Sequence, residues 1–409
     1  MKLSLFTPTH DPGHLLDVLS SIQQQGYDDW EWVICPNGEK AADATAFVRN
    51  NLLPQDNRIR CFPYDGQSTN IGALKRFACE HCSGDVLVEL DHDDLLVPLT
   101  LPKIARAAQT AGFIYSDSAV FEPDMKTWGY HPAWGWENYE IKVYGLAFTA
   151  TRTFDINPRV LCEVYYCPDH VRAWRTDVYK KTGGHDPALP VADDHDLICR
   201  TYLSGTEFKH IGGCGYLYRY HQGNTVKMRG ADIQKHTAAN RRKYLWALID
   251  EWCRRQQLPK INLTDEYRAG RWDPNAPDVF ARSNEESVYG RIVANDILQF
   301  VPPKKQVSFF NRCWQCLVPG GWLTVLVPSP HGLYADMSPL HRSRFNRCTF
   351  LLYSRREFAA NIPEITCRYD LVECSDLYPS EAHKQYDLRL LRADLAALKG
   401  QRWPGPQLI

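Results

Sequence analysis

Short apolar runs and amphipathic stretches alternate along the first half of the chain. Lys2–Thr7 is a brief apolar run closed by Pro8, which predicts a buried strand. Leu15, Leu16, Leu19 and Ile22 recur at helical spacing and predict a helix over Leu15–Gln24. A second strand, Trp30–Cys35, ends at the turn signal Pro36-Asn37-Gly38. A helix over Ala42–Leu53, a short strand Ile59–Phe62, a helix over Ile71–Cys82 and a strand Val86–Leu90 follow. Strand and helix in strict alternation predict an α/β fold with a mostly parallel sheet wrapped by helices. Ligands bind such sheets beyond the carboxyl ends of the strands. Three strand ends deliver polar groups there: Thr7, Thr9 and Asp11; Asn37; and Asp91 with Asp93.

Farther on, the pattern changes twice. Trp128–Phe148 is rich in aromatic residues, among them Tyr130, Trp134, Trp136, Tyr139 and Tyr144. Flat aromatic faces suit sugar rings and extruded bases, and equally a packed core. Ile233–Gln257 reads as one long helix, dense in Arg and Lys on one side. Residues 256–278 are polar, carry Gly270, Pro274 and Pro277, and read as a linker between a domain over 1–255 and another over 279–409. In the latter, Val279–Val301 and Val307–Leu317 lead to Pro319-Gly320-Gly321 and the apolar run Trp322–Pro328.

Composition narrows the class. Hydrophobic residues make up 44% and charged residues 23% of the 409, an ordinary globular balance. A net charge of −1 removes any global pull toward phosphate backbones or anionic membranes. No run approaches the ~20 apolar residues of a membrane span, and the short apolar start lacks a signal-peptide core. The expectation is a cytoplasmic protein whose 14 cysteines are free thiols. The pairs Cys79/Cys82 and Cys313/Cys316 fall in helical stretches and read as packing residues rather than a zinc site.

Asp91-His92-Asp93-Asp94 places three carboxylates in four residues at a strand end. Either a divalent cation, Mn²⁺ or Mg²⁺, relieves their repulsion, or they form a solvated acidic turn. The surrounding sequence separates these readings. Asn70-Ile71-Gly72, Ser83-Gly84-Asp85, the apolar strand and Asp91-His92-Asp93-Asp94 resemble the family 2 glycosyltransferases of the GT-A fold. Leu5–Asp11 is similar to that family's first strand and nucleotide loop, and Gln23–Tyr27 with Trp30–Ile34 to its first helix and second strand. Gly183-Gly184-His185-Asp186, Asp193-Asp194-His195-Asp196-Leu197 and Tyr218-Arg219-Tyr220-His221 match later segments in the same order.

The resemblance implies an inverting enzyme that moves a sugar from a nucleotide diphosphate, UDP-sugar by preference, to an acceptor hydroxyl. It implies Asp194 as the base, with Asp193 beside it. It implies Asp91, Asp93 and His221 as metal ligands, and Thr7, Thr9, Asp11, Asn37, Arg76 and Asp91 around the donor. Asn37 departs from the family's usual Asp, which leaves uridine favoured but another base open. Lys75 and Arg76 either reach a phosphate or form a solvated helix face. For Asp193, Asp194 and Asp196 the alternative is simply the acidic first turn of a helix.

The aromatic stretch lies where the family binds its acceptor, with Trp134 and Trp136 as the expected platform. A glycan is the favoured acceptor. A hydroxylated pyrimidine in DNA, as in phage, stays open, with Arg241, Arg242, Lys243, Arg254, Arg255, Arg342, Arg344 and Arg347 to track phosphates. A non-catalytic scaffold on the same fold is the third reading. The second half resembles a truncated class I methyltransferase: Asp296–Val301, the Pro-Gly-Gly turn and Ser338–Phe350 are similar to its late motifs. Residues 256–318 hold only Gly270 and Gly290, so no glycine cradle for S-adenosylmethionine is present. Bracing the first domain, forming a homodimer or holding the acceptor are the roles left to it.

Overall fold

Every residue of strand β1 (Leu3–Thr9) except Pro8 is buried, and all seven of β2 (Trp30–Pro36) are, as expected of central strands covered on both faces. In the computed structural model, which describes residues 1–164, 167–280 and 286–405, these strands start a unit over Met1–Leu248; a second unit spans Ile249–Trp403.

The first unit adds β3 (Ile59–Cys61), β4 (Val86–Glu89), β5 (Leu95–Leu96), β6 (Phe113–Phe121), β7 (Thr127–Trp128), β8 (Glu137–Val143), β9 (Leu146–Arg152), β10 (Arg172–Arg175) and β11 (Phe208–Arg219). The sheet runs β3-β2-β1-β4-β10-β6-β11-β5, with β7, β8 and β9 attached through β6. Strands β3, β2, β1 and β4 are parallel, as the alternating pattern predicts. Then β10 enters antiparallel between β4 and β6. Helices Leu15–Gln23 and Thr100–Ala107 bury Leu15, Val18, Ile22, Leu101 and Ile104 in one cluster with Leu3, Leu5, Trp32, Val86 and Val88. The predicted helix over Ala42–Leu53 forms as Ala41–Phe47, continued by a wider π turn, Val48–Leu52.

Glycine matters most at Gly72, at the start of helix Ile71–Glu80. A Cβ there would lie 2.0 Å from the Asp186 carbonyl oxygen. Asn70 Nδ2 donates to the carbonyls of Pro187 and Ala188 at 3.1 and 3.3 Å. The Asn-x-Gly pair therefore seats loop 186–189 against this helix, and that loop leads into helix Asp193–Leu203.

The second unit holds a sheet ordered β12 (Lys260–Asn262), β13 (Tyr289–Asn295), β14 (Leu317–Pro328), β16 (Leu390–Ala397), β15 (Tyr369–Leu377). The expected linker over 256–278 is thus in part structured: β12 pairs parallel with β13, and Leu263–Arg268 is a helix whose Leu263 is fully buried. Apolar Ile261 and Leu263 interrupt the polar run and have a core to join. Pro319-Gly320-Gly321 lies inside β14, with Gly320 at φ +74°. Cys313 and Cys316 sit on one helix, whereas Cys79 is in the last turn of helix Ile71–Glu80 and Cys82 lies just past its end; Cys79, Cys313 and Cys316 are buried, and no disulfide is formed. Among the described residues no helix is long and apolar enough to cross a membrane.

Candidate active site

The carboxyl ends of β1, β2 and β4 open into a cavity of about 740 Å³ within the first unit. Its lining includes Pro8, His10, Asp11, Asn37, Asp91, Asp93, Trp128, Tyr130, Asp169, Tyr218 and Tyr220. Lys75, His170, Arg172, Asp193, Asp194 and His221 complete it. The switch from parallel to antiparallel pairing at β4 creates this crevice, where ligands of α/β sheets bind.

At the end of β4, Asp93 Oδ2 lies 2.7 Å from His221 Nε2. Asp94 points the other way and accepts the Arg219 amide at 2.6 Å. Its full burial, beside Asp93 and Asp91, pushes its carboxyl well above the usual range. Asp91 lines the cavity with its nearest cationic partner, His170 Nε2, at 3.8 Å. The hard oxygen and imidazole donors of Asp93 and His221 suit Mn²⁺ or Mg²⁺ once phosphate oxygens complete the shell. Among the described residues, ligand atoms of Glu89, Asp91 and His170 also lie within 4.8 Å of one another. Glu89 is poorly suited to a metal, because Lys75 Nζ already holds its Oε1 at 2.5 Å and Arg172 approaches at 3.4 Å.

Asp194 Oδ2 accepts from Arg172 Nη1 at 2.5 Å, and Oδ1 accepts the His195 amide at 2.7 Å. Burial alone would raise its pKa, but the charges of Arg172 and then Lys75 prevail and hold it at about 2. It is therefore ionised at neutral pH and faces the cavity. Asp193 lies 2.7 Å from His185 Nδ1, inside the fold. Asp196 accepts from Arg200 and Tyr244, so its role is structural.

The remaining predicted residues divide. Asp11 and Asn37 line the cavity. The Asn37 amide nitrogen donates to the Cys35 carbonyl at 3.2 Å, so its carbonyl oxygen is the acceptor it can offer a base. Thr7 is buried behind the wall, bonded to Leu90 and Trp32. Thr9 is buried too, its hydroxyl donating to the Asp11 carbonyl at 2.8 Å. Arg76 does not reach the cavity: it donates to the carbonyls of His185 and Gly183 and clamps the Gly-Gly turn. The aromatic platform is also displaced. Trp134 is 52% exposed, and Trp136 packs on Phe154 and Tyr130 at 4.4 and 4.8 Å. Trp128, Tyr130 and Tyr220 face the cavity instead, Trp128 standing edge-on to Tyr220 at 5.3 Å.

Sequence reading missed His170, Arg172 and Glu89. Arg172 sits opposite Glu89 in the β10–β4 register, a pairing no local pattern reveals.

Residues 4–183 match the family model of glycosyl transferase family 2. The chain is 26% identical over 244 residues to the O-antigen biosynthesis protein RfbC of Myxococcus xanthus, covering 58% of this chain and 17% of that protein. It is 30% identical over 108 residues to a GalNAc(5)-diNAcBac-PP-undecaprenol beta-1,3-glucosyltransferase of Campylobacter jejuni, 26% of this chain and 34% of that one. The chain thus spans 17% and 34% of the length of these relatives. Among solved structures, S. aureus TarS 1-349 in complex with UDP-GlcNAc aligns over 77% of this chain and 80% of that chain, with 16% identity and a TM-score of 0.43. Order of strands, acidic edge and matched segment agree: over residues 4–183 the first unit resembles a glycosyl transferase family 2 domain.

Proposed function

We propose that the chain is an inverting, metal-dependent glycosyltransferase that moves a sugar from a nucleoside diphosphate, uridine by preference, to a glycan hydroxyl. The observation that carries it is the meeting, in one cavity, of an ionised carboxylate at Asp194 with the Asp91, Asp93 and His221 edge. Asp11 and Asn37 border the space for the nucleoside. Asp93 and His221, with Asp91, would hold the cation, which supplies positive charge to a departing diphosphate. As the acceptor oxygen bonds to the anomeric carbon, its proton passes to the Asp194 carboxylate. The bond from that carbon to the diphosphate oxygen breaks with its electron pair on the diphosphate. Attack from the face opposite the leaving group inverts the centre.

Trp128, Tyr130 and Tyr220 offer the acceptor flat apolar faces, and Asp169 offers a carboxylate for hydroxyls. The two curated relatives named above act, by their names, in glycan assembly. The DNA reading loses its support where its basic residues are already engaged. Arg241 pairs with Glu163 at 3.3 Å, Arg254 and Arg255 pair with Glu251, and Arg344 pairs with Asp336. For the second unit we propose a non-catalytic role, since residues 256–318 hold only Gly270 and Gly290 and the latter is spent on packing: a Cβ there would meet Cys253 Sγ at 2.7 Å.

The test is release of UDP from a panel of UDP-sugars with Mn²⁺, comparing wild type with Asp194→Asn. Nucleotide affinity should persist while turnover falls by about 10²-fold or more. Unchanged turnover would remove Asp194 from the reaction.

A further inference from the structure

Arg172 lines the cavity as a buried cation that the proposed reaction does not use. Arg172 is the first residue of β10, with its side chain only 4% exposed. Glu89 is shared between two cations: Lys75 Nζ holds its Oε1 at 2.5 Å, and Arg172 approaches both of its oxygens at 3.4 Å. The short contact of Arg172 goes to Asp194 Oδ2, at 2.5 Å. Its other terminal nitrogen, Nη2, lies 2.5 Å from His170 Nε2, and His170 Nδ1 lies 3.2 Å from Asp169 Oδ1. The guanidinium is thus held from behind while one fork faces Asp194.

We propose that Arg172 is a positioning residue for the base: from the sheet it fixes the rotamer of Asp194 and keeps the carboxylate ionised and aimed into the cavity. The inference rests on the reading of Asp194 as the base. With Oδ2 bound to Arg172 and Oδ1 to the His195 amide, the carboxylate cannot swing, and each oxygen keeps a lone pair for the acceptor proton. The charged groups facing Asp194 are Arg172 on β10, Lys75 on helix Ile71–Glu80 and Glu89 on β4; Asp91 and Asp193 border Lys75 in turn. Of these, Arg172 has the largest effect that favours the ionised form. A purely structural arginine would change stability and leave the ionisation that governs turnover where it was.

The experiment follows UDP release from the UDP-sugar hydrolysed fastest in the panel, as a function of pH. In wild type the acid limb of kcat/KM should lie below the usual carboxylate range. In Arg172→Met it should move up by at least about one pH unit, as expected when an opposite charge within ~4–6 Å is removed. Arg172→Lys should fall between the two, because a point charge replaces a fork. The UDP dissociation constant should stay within about threefold in both. A limb unmoved in the variants, with Asp194→Asn inactive, overturns the role of Arg172 alone. Wild-type turnover in Asp194→Asn overturns the underlying base reading. If Arg172→Met does not fold, the lysine variant and the wild-type limb still decide.

Discussion

Replacing Lys75 by methionine distinguishes a phosphate ligand from a structural cation. The side chain is buried, and its ammonium sits 2.5 Å from Glu89 Oε1. Removing one partner of a buried ion pair costs about 3–5 kcal/mol, because the other charge stays buried. Glu89 would keep Arg172 and His170, both at 3.4 Å, which puts the loss near ~3 kcal/mol, the lower end of that range. For a domain of this size, one kcal/mol corresponds to roughly 2–4 °C in Tm, so the melting temperature should fall by about 6–12 °C. The double variant Lys75→Met/Glu89→Gln removes both charges and should recover most of that loss. Thermal unfolding followed by near-ultraviolet circular dichroism reads both, and calorimetry with UDP reads affinity. A Tm within about 2 °C of wild type, together with a tenfold weaker UDP affinity, would refute the reasoning and place Lys75 on the phosphates.

Asp93→Ala should abolish UDP release and the extra thermal stabilisation that Mn²⁺ with UDP gives over UDP alone; activity that survives in EDTA would remove the acidic edge from the mechanism. Trp128→Ala should raise the acceptor KM by about tenfold, on the scale of one lost aromatic contact, while Trp134→Ala should leave it unchanged; a panel of aryl glycosides as acceptors measures both, and equal effects would return the platform to Trp134. Glu31 is held at about 2, burial being overcome by hydrogen bonds from Ser4, Ser83 and Lys2. A depressed carboxylate contributes stability that is full above its unfolded value of 4.5 and is lost as pH falls toward 2. Glu31→Gln should therefore flatten the acid side of a urea-midpoint profile between those values; an unchanged slope would assign the acid sensitivity elsewhere.

Local pattern carries the parallel half of the first sheet. Predicted strands Lys2–Thr7, Trp30–Cys35 and Val86–Leu90 appear as Leu3–Thr9, Trp30–Pro36 and Val86–Glu89, because fully buried parallel strands read as apolar runs. Asp91, Asp93, Asp194 and His221 were legible through motif order, and the fold brings all four to one cavity. The antiparallel part was not legible. Glu137–Val143 alternates exposed and half-buried residues and belongs to a hairpin that attaches through β6, so its aromatic content says little about which rings turn inward. Arg172 and His170 escaped because their meaning lies in pairing across the sheet. Arg76 looked like a phosphate ligand because a basic residue on a helix carries no mark of the carbonyls it will find.

The antiparallel entry of β10 has a consequence for how the chain comes into being. Strand β4 is finished at Glu89, yet one of its two neighbours arrives only with residues 172–175. Until then, Val86–Glu89 offers unpaired backbone on an apolar strand, the kind of edge that recruits other chains. Over the same interval Glu89 lacks Arg172 and leans on Lys75 alone. Strand β6 waits longer, since β11 pairs with it through Arg219. A growing polypeptide therefore carries an open central sheet through most of its first unit, and such long-range closure is slow. Fragments that stop before Arg175 should stick to one another, whereas those that continue past Arg219 can close the sheet.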